Sequence, residues 1–271
     1  MKMPFNTMIT DREPFIFLER ACISVSGKSV IAKTKDGNIN LPISSIHCLM
    51  LGNGTSVTAD AAALCAKHNC YIAFLKGGSN VHSVWHCGRY QNPVSLVRQV
   101  QKYANPIVRL NIAKTMIVKR LSYMDEEFKE LLSTDRIEKC ETIEELLGVE
   151  GNYTRKIYAI MSNKTFKRDF NSNEGVNGRL SLLNNALYNF TTTILLSLGY
   201  SPSVGFLHGQ TRRGGLTFDI VDIFKFPLCT KEAFSDEHSD KELLRVLSKK
   251  LNQQRKFWVK EIITVTQEFL C

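Results

Sequence analysis

Asn92-Pro93-Val94-Ser95-Leu96-Val97-Arg98-Gln99-Val100-Gln101-Lys102-Tyr103-Ala104-Asn105-Pro106 divides the chain. Proline breaks a strand ladder and is tolerated in a helix only at its first turn, so the two prolines mark boundaries. Upstream, Phe15 to Leu18, Ala21 to Val25, Ser29 to Thr34, Asn38 to Pro42 and Ile46 to Leu51 read as short strands, with turn signals at Ser26-Gly27 and Asp36-Gly37. Leu51-Gly52-Asn53-Gly54-Thr55-Ser56-Val57-Thr58 ends a strand and opens a helix at Ala59, with Thr58 as its N-cap. Its glycines are not followed by Gly-Lys-Ser/Thr, so no nucleotide-binding loop is expected. Tyr71 to Leu75 and Val81 to His86 read as a hairpin around Gly77-Gly78. Downstream the period becomes helical. Pro106 opens a basic helix running to about Met124, and Leu180, Leu183, Leu187, Phe190 and Ile194 form one apolar stripe. Ser239-Asp240-Lys241-Glu242 is a capping-box pattern for a last helix with Leu244, Leu247, Leu251, Trp258, Ile262, Val265 and Phe269 on one face. The fold expected is α+β: a small β-rich N-terminal domain over residues 1–92, a linker over 93–105, and a larger all-helical C-terminal domain over 106–271.

The 271 residues suffice for one large core or two smaller ones. The N-terminus lacks a basic-then-apolar signal pattern, since Asp11, Arg12 and Glu13 interrupt it, and a cytoplasmic location is expected. The most apolar stretch, Ala186 to Val204, holds Asn189, three threonines and Pro202, and reads as a buried helix with no membrane span. Eight cysteines occur without a Cys-x-x-Cys pair, which favours reduced thiols. A zinc cluster of His82, His86 and Cys87 with Cys65, His68 or Cys70 is the weaker alternative. The formal net charge is +9, and residues 61–124 hold nine Lys or Arg and no Asp or Glu, so the whole excess lies there. That run, interleaved with Tyr71, Trp85, Tyr90 and Tyr103, is either a solvated basic face or an electrostatic footprint for a phosphate backbone. Arg89 and Arg98 are its candidate DNA contacts.

Two stretches carry the chemistry. In the first, Ile143, Leu146, Glu150, Tyr153, Ile157 and Ile160 alternate at spacings of three and four, which puts Glu150 inside the apolar stripe of a helix. A carboxylate there needs a cation, a donor network or protonation, and an Arg or Lys partner would satisfy it as well as a metal would. The second is Gly205-Phe206-Leu207-His208-Gly209-Gln210-Thr211-Arg212-Arg213-Gly214-Gly215-Leu216-Thr217-Phe218-Asp219-Ile220-Val221-Asp222. If Phe218 to Phe226 is helical, Asp219 and Asp222 share a face and an ion; Asp219 could instead serve as an N-cap. Carboxylates completed by one imidazole suit Mg²⁺ or Mn²⁺ better than Zn²⁺. In a basic protein such a set points to phosphoryl transfer on nucleic acid.

Taken together, these stretches resemble the CRISPR-associated spacer integrase family, the endonuclease subunit of the adaptation complex, and most closely its subtype I-E branch. The resemblance rests on Pro14-Phe15-Ile16-Phe17-Leu18-Glu19-Arg20-Ala21, on Cys48-Leu49-Met50-Leu51-Gly52-Asn53-Gly54-Thr55-Ser56-Val57, and on Gly148-Val149-Glu150-Gly151 with Arg155 and Tyr158. It extends through Leu198-Gly199-Tyr200-Ser201-Pro202-Ser203-Val204-Gly205-Phe206-Leu207-His208 and Phe218-Asp219-Ile220-Val221-Asp222. It implies a β-domain joined to a helical, metal-holding domain, with Glu150, His208 and Asp222 as catalytic metal ligands and Asp219 beside them. Tyr188 matches a family tyrosine near the DNA end. Arg212 and Arg213, which the loop from Gly209 to Gly215 adds to the family pattern, either reach phosphate near the metal or are solvated. The implied reaction is strand transfer, attack of a DNA 3′-hydroxyl on a phosphodiester that inserts short fragments into a CRISPR array. Implied partners are double-stranded DNA with 3′-hydroxyl ends, CRISPR repeat DNA, a second copy of the chain joined through the β-domain, and a small ferredoxin-like adaptation subunit. A metal-dependent nuclease acting on branched or single-stranded DNA and a non-catalytic architectural DNA-binding subunit are the alternatives.

Overall fold

The structure, a computed structural model, describes residues 10–75, 83–85, 93–131, 133–162, 166–209, 214–235 and 239–271, without the side chains of Ser83, Trp85, Gln254 and Arg255. Strand β5 (Ile46–Leu51) is buried at all six positions, as expected of a strand covered on both faces. It lies parallel between β1 (Glu13–Leu18) and β7 (Tyr71–Phe74), and β8 (Ser83–Trp85) adds antiparallel to give the order β1-β5-β7-β8. Register sorts the side chains by core. The row Phe15, Cys48, Tyr71 faces the helices, and the adjacent row Ile16, Leu49, Ile72 faces a second core.

That second core is closed by another sheet, ordered β4-β3-β2-β6 from β2 (Cys22–Ser26), β3 (Ser29–Thr34), β4 (Gly37–Leu41) and β6 (Ser56–Val57). The predicted two-residue turn after Ser26 is present, with Gly27 at φ +61°, where a side chain would be strained. Helix α1 (Ala59–Lys67) completes this core, and the Thr58 hydroxyl accepts the Ala61 N–H at 3.3 Å as the N-cap reading requires.

The segment 93–105, set aside above as a linker, is itself largely helix α2 (Val94–Ala104). It is followed by α3 (Pro106–Leu121), α4 (Glu126–Lys129), α5 (Thr134–Glu138), α6 (Ile143–Met161), α7 (Gly175–Ser197), α8 (Gly215–Lys225), a π-helical turn (Phe226–Thr230), α9 (Lys231–Phe234) and α10 (Asp240–Leu270). Asn105 caps α3 by accepting the N–H groups of Ile107 and Val108, and the capping box of Ser239 and Glu242 opens α10. Helix α7 is buried at every position from Leu183 to Leu195, as a helix in the centre of a core must be. It packs with α10 against the outer face of the first sheet. That sheet therefore serves as a wall common to both cores. Among the described residues, no helix is long and apolar enough to cross a membrane.

Candidate active site

Helix α6 forms because Leu146, Tyr153 and Ile157 bury one face, with Thr142 accepting the Glu145 N–H as its N-cap. The same face carries Glu150 inward, as the spacing predicts. Its Oε1 accepts from Arg120 Nη1 at 2.7 Å and from the Thr154 hydroxyl at 2.8 Å, and Arg120 Nη2 reaches that hydroxyl at 3.2 Å. Side-chain exposures of 7% for Arg120 and 15% for Glu150 make this a largely buried ion pair. The Arg-paired reading of Glu150 is thus realised at one carboxylate oxygen. A Cβ at Gly148 or Gly151 would meet nothing within 4 Å, so the backbone beside Glu150 is open to approach.

His208 ends the buried loop 205–208, whose backbone N–H groups need an acceptor. Asp219, on α8, supplies one. Its Oδ2 accepts the N–H groups of Phe206 and Leu207 at 2.5 and 3.1 Å, and its Oδ1 accepts the N–H of His208 at 2.9 Å. The same Oδ1 lies 2.9 Å from His208 Nδ1. An ionised carboxylate only accepts, so Nδ1 carries the proton and the ring's lone pair is on Nε2. Nε2 faces Asp222 Oδ2 at 3.9 Å. Burial opposes charge on this imidazole, but the Asp219 hydrogen bond and the carboxylates of Asp222 and Glu150 raise its pKa overall.

Asp222, three residues on, has a different partner. Its Oδ1 accepts from Lys225 one turn on. Burial alone would raise its pKa, but Lys225, His208 and Arg120 hold it down at about 2. Lys225 also sits 5.3 Å over the ring of Tyr188, which packs edge-on to Phe218. Burial disfavours the Lys225 charge, and Asp222 more than restores it.

Glu150, His208 and Asp222 line one cavity of about 500 Å³, together with Arg120, Tyr188 and Lys225. Asp219 does not. With its side chain fully enclosed and both oxygens occupied by four protein donors, it positions His208 beside the other expected ligands. Among the described residues, no three His, Cys, Asp or Glu side chains stand close enough to hold an ion as they are oriented. The reason is visible: Glu150 is turned to Arg120, and Asp222 to Lys225. The donor set nonetheless fits a divalent ion that accepts both oxygen and nitrogen, with the imidazole already fixed in the ligating tautomer.

The DNA-contact expectations divide. Tyr188 lines the cavity, and Arg98 is exposed on α2. Arg89, Arg212 and Arg213 lie outside the described residues, as do His82, His86 and Cys87 of the zinc alternative. Much of the basic run is spent within the protein. Lys102, Arg109 and Lys114 donate to the carbonyls of Phe269, Phe206 and Glu138, Lys119 pairs with Glu268, and Arg120 with Glu150. Arg120 and Lys225 are the site residues that the sequence reading passed over. Lys225 had a local sign, three residues after Asp222 on one helix; Arg120 had none.

The profile of the family described as "CRISPR associated protein Cas1" matches residues 15–236. The chain is 27% identical over 237 residues to the CRISPR-associated endonuclease Cas1 2 of Chlorobaculum tepidum, covering 84% of this chain and 76% of that protein. Its fold matches a chain of the TtCas1–DNA complex with a TM-score of 0.73 at 21% identity, over 94% of this chain and 91% of that one. It also matches a casposase bound to integration product with a TM-score of 0.78 at 16% identity, over 94% and 89%.

Proposed function

Because the chain belongs to the Cas1 family of CRISPR-associated proteins, we propose that it is a divalent-metal-dependent DNA integrase and endonuclease, joining a DNA 3′-hydroxyl to a phosphodiester. The observation that carries this reading is that Glu150, His208 and Asp222, from three separate places in the sequence, line one cavity. They are the residues that would hold Mg²⁺ or Mn²⁺. Such an ion, when bound, favours deprotonation of the hydroxyl and neutralises charge building on the phosphodiester.

The chain's own residues prepare that chemistry. Asp219 fixes the His208 tautomer, so the neutral imidazole presents its lone pair on Nε2. Arg120 and Lys225 balance the two carboxylates and set two positive charges into the cavity wall, the sign a phosphate needs. Tyr188 offers an aromatic edge beside them. No protein nucleophile is required. With water in place of the hydroxyl, the same site would cut DNA, in keeping with the endonuclease named in the Chlorobaculum relative. The convergence of Glu150, His208 and Asp222 on one cavity favours an enzyme over an architectural subunit. The subtype I-E character, the homodimer, the CRISPR repeat target and the small ferredoxin-like companion belong to this proposal through the sequence resemblance. The TtCas1–DNA complex, whose fold this chain shares, agrees with a DNA partner.

The test is an oligonucleotide-joining assay under divalent-ion titration. Mn²⁺ and Mg²⁺ should support joining, with Mn²⁺ the better because it tolerates nitrogen ligands, and Ca²⁺ should support little. Joining that survives EDTA, or returns only with Zn²⁺, would overturn the reading.

A further inference from the structure

Helix α2 is built inside out. Val94, Leu96, Val97 and Val100 are exposed, while Ser95 and Gln99 are the positions it buries. Gln99 has no exposed surface at all. Burying an amide is costly unless its hydrogen bonds are replaced, and here they are. Oε1 accepts the Ser201 N–H at 2.9 Å, and Nε2 donates to the carbonyls of Ser201 at 2.9 Å and Val204 at 2.7 Å. The side chain acts as a substitute strand for a turn that has none.

That turn leads directly into the loop bearing His208. The Pro202 carbonyl accepts the N–H of Leu216 at 2.9 Å, tying the turn to the first residues of α8. One residue past Val204, a Cβ at Gly205 would lie 2.3 Å from the carbonyl carbon of Gly215, so loop and helix touch backbone to backbone. Arg109 Nε then donates to the Phe206 carbonyl at 2.9 Å, and Asp219 takes the next three N–H groups. The loop is thus pinned in sequence by Gln99 from α2, Arg109 from α3 and Asp219 from α8. Only the last is local to His208.

We infer that Gln99 is a remote positioning residue of the active site, fixing the His208 loop through the backbone of Ser201 and Val204 and thereby the affinity of the site for its divalent ion. The inference rests on the proposed metal role of His208, and its test separates the two. Gln99→Met keeps the volume and removes all three hydrogen bonds. Gln99→Glu keeps the acceptor for Ser201 and sets an oxygen against two carbonyls, which gives a second variant should the first fold poorly. Ile23→Ala, in the β-core away from the loop, serves as the control for lost stability alone. Two quantities are read on each protein: Mn²⁺ affinity by electron paramagnetic resonance, and the downfield proton signal of His208 Nδ1–H by NMR.

Loss of partners beyond the ligands commonly costs a site about tenfold or more in metal affinity. Gln99→Met should therefore weaken Mn²⁺ binding about tenfold and shift or broaden the Nδ1–H signal, while Ile23→Ala changes neither at a similar drop in melting temperature. Wild-type affinity and an unmoved signal in both Gln99 variants would overturn the inference, as would equal changes in Ile23→Ala. If Glu150→Gln shows that Mn²⁺ does not bind at this site, the functional reading fails, and the Nδ1–H signal alone decides the role of Gln99.

Discussion

His208 and Asp219 are joined twice: the backbone N–H and the ring Nδ1 of His208 both lie 2.9 Å from the same Asp219 oxygen. The aspartate therefore fixes where the histidine sits and which of its nitrogens can bind an ion. This gives Asp219 a larger part than a neighbour of the ligands would have. Asp219→Ala should leave three buried N–H groups without acceptors, each costing about 1–3 kcal/mol, and release the ring. Joining should fall nearly as far as in a ligand substitution, with a clear loss of stability in urea denaturation. A stable Asp219→Ala protein with near-wild-type joining would show that the loop is held by other means.

The glycines of the same loop are a second point of sensitivity. Gly205→Ala places a methyl 2.3 Å from the Gly215 carbonyl carbon and 2.6 Å from the Leu216 nitrogen, both backbone atoms that cannot rotate away. The loop or the start of α8 must move. We expect a destabilisation of about 1–3 kcal/mol and loss of joining, whereas Gly148→Ala, which meets no atom within 4 Å, should keep its stability. Thermal denaturation of the two variants side by side checks this.

Away from the site, His47 should make stability fall in acid. It is 2% exposed, hydrogen-bonded to Thr193 at 2.9 Å, and held neutral: burial first, then the Arg12 charge, lowers its pKa to about 3. Above the unfolded value near 6.5 neither state binds a proton. Between about 6.5 and about 3 only the unfolded chain does, so this contribution to stability is lost as the pH falls, by about 1.4 kcal/mol per unit. His47→Gln should flatten that dependence by up to one proton. Urea midpoints at pH 7.5, 6 and 5 for both proteins measure it, and identical slopes would contradict the account.

What the sequence disclosed, and what it hid, follows the range of the interactions. The strands, the Thr58 cap, the capping box of α10 and the inward placement of Glu150 are local patterns, readable from period and spacing. Arg120 is 30 residues from Glu150 and appeared only as one charge in a basic run. The run's basic character was legible, but not that most of its described cations reach carbonyls and carboxylates of the protein itself. Asp219 and Asp222 fall about 60° apart around a helix, close enough to suggest a shared ion. What separates them is the demand of a buried loop for acceptors, which Asp219 meets and no spacing reveals. Gln99 is the hardest to read from sequence. On a helix whose apolar residues face outward, the periodicity that normally marks the core marks the surface.

The central claim is that Glu150, His208 and Asp222 hold an ion on which joining depends, whereas affinity for duplex comes from dispersed basic residues. The most direct measurement is joining of a 3′-hydroxyl oligonucleotide in Mn²⁺ by Glu150→Ala, His208→Ala and Asp222→Ala, with duplex affinity determined on the same folded proteins. The account predicts that each substitution nearly abolishes joining while duplex affinity stays within about a few-fold. Near-wild-type joining by a correctly folded Glu150→Ala protein would contradict it.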